Sequence, residues 1–243
     1  MKINNSISIV TACFNEEKKI KKTIISWIDF FKKKKIKKFE IIITDDGSTD
    51  KTRKILDNLK KKNKEVRVYK FKKNFGASVA FNNSIRKSKN EFILVNDSDN
   101  QYPINNFLHL WKEITKHNYD VVIGSRSRLK ELTFLSIGSY LSGKIMNIIY
   151  KSNVEDFNCA LKLSKSKILK RINLEAVGLN YSTEMTAKII EMKSKISSVK
   201  IYHNKNEKKK GIKRIAKDSV NRLIFITYLF LRLTLIRLNI IKS

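Results

Sequence analysis

The tightest constraint on this chain is an alternation. Short runs rich in Ile, Val and Phe are each followed by a turn and then by a longer segment with helical apolar spacing. Ile7 to Cys13 reads as a first strand and Glu16 to Lys34 as a helix. Phe39 to Thr44 follows, then the turn Asp45-Asp46-Gly47-Ser48 and a helix from Asp50 to about Lys62 that Ser48 or Thr49 can cap. A third strand, Val66 to Phe71, leads through Asn74-Phe75-Gly76 into a helix over Ala77 to Lys87. A fourth, Glu91 to Asn96, ends at Asp97-Ser98-Asp99. Pro103 opens another helix carrying Phe107, Leu108, Trp111 and Ile114, and Asp120 to Gly124 makes a fifth strand. Strands alternating with helices imply one doubly wound, mostly parallel α/β sheet of Rossmann-like type.

Beyond Arg128 the pattern loosens. It predicts a helix over Phe134 to Tyr150, a short strand around Asn158 to Leu163, a helix beginning near Ser182, a strand Ile196 to His203 and a mobile loop Lys205 to Lys213. The stretch Ile215 to Ile241 is a long apolar helix interrupted by Arg222, Arg232 and Arg237. A bilayer span needs about 20 predominantly apolar residues, and a central Arg232 would cost about 3 kcal/mol or more. Two placements therefore stand: a helix lying on a membrane surface, or a terminal helix packed on the domain. Residues 1–210 form the expected catalytic unit, and residues 211–243 the end of the basic loop and this helix.

Composition narrows the class. With 243 residues, 42% hydrophobic, the chain can bury a sizeable core. Cys13 and Cys159 lie far apart without metal-site spacing, which argues against a disulfide scaffold and fits a reducing, cytoplasmic setting. MKINNSISIV is too short and too polar in its apolar part for an export signal. The formal charge of +30 predicts an anionic partner such as phosphates or a lipid surface. A basic nucleic-acid-binding protein is the rival from another class. It requires a basic face interleaved with stacking aromatics, whereas the lysines here are spread along nearly every segment and share A/T-rich codons with the abundant Ile and Asn.

Ligands of open parallel sheets bind beyond the carboxyl ends of the strands. In this strongly basic chain the scarce carboxylates gather there: Glu16 and Glu17, Asp45 and Asp46, Asp97 and Asp99. Clustered like charges repel unless a cation or hydrogen-bond donors offset them. The Asp97-Ser98-Asp99 triplet suits Mg²⁺ or Mn²⁺ together with diphosphate oxygens, with Gln101 as a further oxygen ligand.

The segments ISIVTACFNEE, IIITDDGSTDKT, NFGASVAFNNSI, FILVNDSDNQYP and VVIGSR follow the order and spacing of the family 2 glycosyltransferases. Within that family the chain most resembles the dolichyl- and polyprenyl-phosphate sugar synthases, through DSDNQYP, GSRSR, DFNCALKL and GLNYSTEM. The resemblance implies a glycosyltransferase A fold. It implies that Ala12, Phe14, Glu16, Asp45, Asp46 and Asp97 surround the nucleotide, with an aspartate on the base and an aromatic ring stacked beside it. It also assigns Asp97, Asp99 and Gln101 to the metal, and Arg126, aided by Arg128, to the phosphates. Asp156 and Glu184 fall in the acceptor-side blocks, to orient the acceptor or serve as base. A family loop written R-x-x-G-x-S-K appears here with Lys208, Gly211, Lys213 and Arg214 in the corresponding places, and Ala12 stands where the family usually has Pro.

The expected activity is metal-dependent inverting transfer of a hexose from a UDP- or GDP-linked donor to a polyprenyl phosphate. The enzyme would sit peripherally on the anionic inner face of the cell membrane. The alternative acceptor is a saccharide, such as a lipid-linked glycan in cell-surface glycan synthesis, for which Glu184 or Asp156 would act as base.

Overall fold

A computed structural model describes residues 3–126, 134–176, 180–204, 212–238 and 240. For residues 134–139, 212–219 and 221–222 it describes the backbone alone. Seven strands form one sheet: β1 (Ile7–Cys13), β2 (Phe39–Asp45), β3 (Val66–Lys70), β4 (Phe92–Val95), β5 (Val121–Arg126), β6 (Lys162–Lys165) and β7 (Ile196–Ile201). Their order is β3-β2-β1-β4-β6-β5-β7. Every pairing is parallel except those of β6, which runs antiparallel to β4 and β5.

The apolar runs become central strands because both faces are covered. Ile7, Ile9 and Val10 of β1 and Ile41, Ile42 and Ile43 of β2 are all inaccessible to solvent, as expected of strands buried on both sides. Helices α1 (Ile20–Lys33), α2 (Thr52–Lys62) and α3 (Ala77–Lys87) are the first three crossovers. The path from β1 through β2 to β3 moves one way along the sheet, and the step from β3 to β4 reverses it. Right-handed crossovers then put α3 on the face opposite α1 and α2. The helix α4 (Phe107–Lys116), entered through a 3₁₀ turn at Ile104–Asn106, joins α1: the Phe107 ring lies 5.1 Å from that of Phe31. On the other face Phe81 of α3 stacks at 4.4 Å on Tyr181 of α7 (Tyr181–Glu191).

Two predicted boundaries shift for reasons visible in the backbone. The helix α1 begins at Ile20 rather than Glu16, because Asn15 adopts a left-handed conformation (φ 53°) and residues 15–17 bond to the 48–50 turn instead. The sixth strand is Lys162–Lys165 rather than Asn158 to Leu163, because its register is set by antiparallel pairing with β4, Val95 facing Lys162. A short helix, α6 (Ser166–Leu169), follows it and was not foreseen. Cys13 and Cys159 are both buried free thiols.

The helices α5 (Phe134–Tyr150) and α8 (Ile212–Arg237) pack together, and α8 also meets α7. One stripe of α8, Phe225, Leu229 and Leu233, is buried. Arg232 turns inward to the buried Glu191 at 3.2 Å, which also accepts from the Tyr150 hydroxyl at 3.0 Å. Val220, Leu223, Ile224, Phe230, Leu231 and Leu238 remain exposed, as do Tyr140, Leu141, Ile145 and Ile148 on α5. So α8 is packed on the domain and still presents an apolar outer side. Among the described residues no helix is long and apolar enough to cross a membrane.

Candidate active site

The sheet changes direction between β1 and β4: β2 and β3 lie on one side of β1, and β4 lies on the other. A crevice for ligands is expected at such a switch point. The strand-end acids border it. Cys13 faces Asp45 across the β1–β2 pair, and on the other flank the Asn96 amide donates to the Val10 carbonyl at 3.2 Å, which puts Asp97 next in line.

The Asp45–Ser48 turn is built by its own acids. Asp45 is inaccessible to solvent; its carboxylate accepts from the Ser48 amide at 3.0 Å and from Arg53 Nε at 2.8 Å. Asp46 accepts from the Phe75 and Gly76 amides at 2.8 and 2.9 Å, clamping the loop after β3. Burial raises the pKa of Asp46, and these two amides oppose the rise. Gly47 has φ +78°, and a Cβ there would stand 2.3 Å from the Lys73 carbonyl carbon, so the close approach of the two loops requires glycine. Ser48 does not cap α2. It accepts from the Asn15 amide at 3.0 Å, while the Asn15 side-chain oxygen accepts from the Thr49 amide at 2.9 Å and Asp50 from the Thr52 amide at 2.9 Å.

These reciprocal bonds hold the loop after β1 rigidly beside the turn. The Glu16 amide donates to Thr52 Oγ1 at 2.9 Å. Phe14 projects from the loop with 43% of its surface exposed, and Ala12 is half-buried. Asp45 and Asp46 thus shape the loops at the ends of β2 and β3, with their carboxylates already engaged by protein donors.

Asp97 and Asp99 form a second group. Asp97 is half-buried, and the hydroxyl of Tyr181, stacked on Phe81, donates to its Oδ1. Burial raises its pKa to about 6, the Tyr181 bond opposes the rise, and the charge of Asp99 adds to it. Asp99 Oδ1 accepts from the Gln101 amide at 2.9 Å. A partly desolvated carboxylate with a raised pKa beside a second one is a fit environment for a hard cation, which would take the place of the proton. Among the described residues no three His, Cys, Asp or Glu side chains cluster to hold a metal. An ion on Asp97, Asp99 and Gln101 would therefore complete its shell with oxygens of a ligand.

Two cations flank this pair. Lys162 projects inward from β6 with no solvent exposure, donating to the Cys159 carbonyl and, at 2.8 Å, to the Ser182 hydroxyl. Burial lowers its pKa to about 8, while the charges of Asp156 and Asp97 oppose the fall. Arg126, at the end of β5, forks onto Asp156 through Nε at 2.6 Å and Nη2 at 3.0 Å, and its own amide meets the same carboxylate at 3.3 Å. Arg126 and Lys162 both act electrostatically on Asp97. The two acids assigned to the acceptor side are engaged within the protein. Asp156 is buried against Arg126, and Glu184 is fully buried, accepting from the Glu175 amide at 3.0 and 2.9 Å and the Ala176 amide at 2.8 Å and pairing with Lys188 at 2.8 Å.

The expectations at Arg128, Lys208 and Gly211 fall outside the described residues, and Lys213 and Arg214 lie in the first turn of α8 with their side chains outside them. The sequence did not point to Tyr181 or Lys162. The one signal for Lys162 was a lone cation in the apolar run Cys159 to Leu163.

Comparison with known proteins agrees with this architecture. Residues 8–172 match the model of glycosyl transferase family 2. The chain is 24% identical over 237 residues to a dodecaprenyl-phosphate galacturonate synthase of Rhizobium johnstonii, covering 91% of this chain and 68% of that protein. It is 26% identical over 236 residues to a dolichyl-phosphate beta-glucosyltransferase of Trichomonas vaginalis, covering 90% of this chain and 73% of the relative. Among solved structures, glucosyl-3-phosphoglycerate synthase from Mycobacterium tuberculosis in complex with UDP superposes with a TM-score of 0.69 at 17% identity, covering 93% of this chain and 80% of that one. The sheet order, the acids at the switch point and the matched segment together make this chain a member of glycosyl transferase family 2 with a glycosyltransferase A fold.

Proposed function

We infer that the chain is a metal-dependent, inverting hexosyltransferase using a UDP- or GDP-linked sugar and a polyprenyl phosphate acceptor. The observation that supports this reading is the half-buried Asp97 next to Asp99 at the sheet's switch point, held by Tyr181 and acted on by the charges of Lys162 and Arg126. Two adjacent carboxylates with two cations acting on them would suit one divalent ion and a diphosphate. Mg²⁺ or Mn²⁺ on Asp97, Asp99 and Gln101 would neutralise charge as the nucleoside diphosphate departs. Arg126, held by Asp156, would position the donor's phosphates through the field of its fixed guanidinium.

The engagement of Asp156 and Glu184 within the protein favours a phosphate acceptor. A sugar hydroxyl needs a carboxylate to take its proton, and both candidate bases are committed to Arg126 and to the 175–176 backbone. A polyprenyl phosphate is already anionic, so it attacks the anomeric carbon without a base. Relatives that act on dodecaprenyl phosphate and dolichyl phosphate support the same choice. The exposed apolar sides of α5 and α8, on a chain of net charge +30, suit a peripheral place on the anionic cytoplasmic face of the membrane, where such an acceptor resides. Asp99→Ala tests the donor half: Mn²⁺-dependent turnover of the nucleotide sugar should fall at least 100-fold with the thermal midpoint unchanged. Retained turnover would remove the carboxylate pair from the reaction.

A further inference from the structure

We propose that Phe75 is a second aromatic wall of the nucleobase site, lining it from the β3 side as the proposed donor site has Phe14 line it from the β1 side. This assignment rests on the donor reading above and adds a residue to it. Phe75 is a large apolar side chain with 51% of its surface exposed, at a position the fold has taken care to fix. Its amide and that of Gly76 are both bonded to the buried Asp46 carboxylate, and the backbone of residues 73 and 74 is pressed against Gly47. The ring is oriented as well: it meets Phe71 edge-on at 5.5 Å, and Lys73 Nζ lies 5.3 Å from its centroid. A rigidly mounted yet exposed aromatic ring is poor economy for folding alone, since burial of such a ring is worth about 2 kcal/mol or more.

Its placement names the ligand. Phe14 leaves the end of β1 and Phe75 the loop after β3, with β2 and the Asp45–Ser48 turn between them. The turn is tied to both loops, through Cys13 and Asn15 on one side and through Asp46 and Gly47 on the other. Strands one apart in a sheet lie about 10 Å from each other. That distance admits one planar ring and its two stacking contacts of about 3.5 Å each. A flat heterocycle entering at this edge would lie between the two loops that carry these exposed rings. Stacking accepts any base, so Phe75 contributes affinity for the nucleoside rather than choice of base.

The test is titration of UDP and of inorganic diphosphate, each with Mn²⁺, into wild type, Phe75→Ala and Phe75→Trp, followed by calorimetry, with a thermal midpoint for each variant. Phe75→Ala should weaken UDP about tenfold and leave diphosphate binding unchanged, and Phe75→Trp should restore UDP affinity. UDP binding by Phe75→Ala equal to wild type, or an equal loss for UDP and diphosphate, would overturn the assignment while leaving the donor reading intact. Failure of wild type to bind UDP, GDP or CDP would overturn the donor reading itself.

Discussion

Lys162→Met removes a fully buried cation near the candidate site, and with it a pH-dependent contribution to stability. Lys162 is inaccessible to solvent, and its ammonium has the Cys159 carbonyl and Ser182 hydroxyl as hydrogen-bond partners. Burial brings its pKa from the ordinary 10.5 to about 8. At about 1.4 kcal/mol for each pH unit, that fall corresponds to about 3 kcal/mol of coupling between folding and protonation. Between pH 8 and 10.5 the unfolded chain holds a proton on this lysine that the folded chain has released. Raising the pH through that window therefore favours the native state through Lys162, and the contribution is lost again as the pH falls through 8. Methionine fills a similar volume and does not titrate. Ser182 still donates to the Cys159 carbonyl at 2.8 Å in its absence, so the surrounding polar groups keep a partner. Urea unfolding of wild type and Lys162→Met at half-unit steps from pH 7 to 10.5 isolates the lysine, because all other titrations are shared. The wild type should gain about 3 kcal/mol on the variant across the series. Parallel curves would show that Lys162 keeps its proton throughout and would refute the reasoning.

Two further outcomes follow from the same site. Asp97 carries a proton below its pKa of about 6, so Mn²⁺ affinity, read by electron paramagnetic resonance, should fall about tenfold for each pH unit below 6 and level off above it; a flat profile from pH 5 to 8 would detach Asp97 from the ion. Glu184→Gln breaks the buried pair with Lys188 and weakens the anchor on residues 175–176, which should cost about 3 kcal/mol in urea unfolding while kcat for folded enzyme changes less than threefold. A loss of kcat above 100-fold at unchanged stability would restore Glu184 as a base.

What the sequence made legible were local patterns, and what it hid were partnerships across the chain. The helices Ala77–Lys87 and Phe134–Tyr150 were foreseen at both ends, because Gly76 marks one start and apolar spacing covers the rest. The antiparallel β6 was misplaced because its position depends on β4 and β5, which are distant in sequence. Acids at the strand ends were visible by type, yet nothing local indicates that Asp156 locks Arg126 from thirty residues away, or that Tyr181 reaches Asp97. Arg232 shows the same limit: read alone it is a charge spoiling an apolar helix, and in the fold it completes a half-buried pair with Glu191.

The proposed reaction passes a nucleotide-activated hexose to a lipid phosphate. Incubation of the full chain with UDP- and GDP-hexoses, Mn²⁺ and a short polyprenyl phosphate, followed by mass spectrometry of the lipid fraction, measures that step directly. A polyprenyl phosphate heavier by one hexosyl group should form with wild type and not with Asp99→Ala. An unmodified lipid, with hexose appearing on an added saccharide instead, would contradict it.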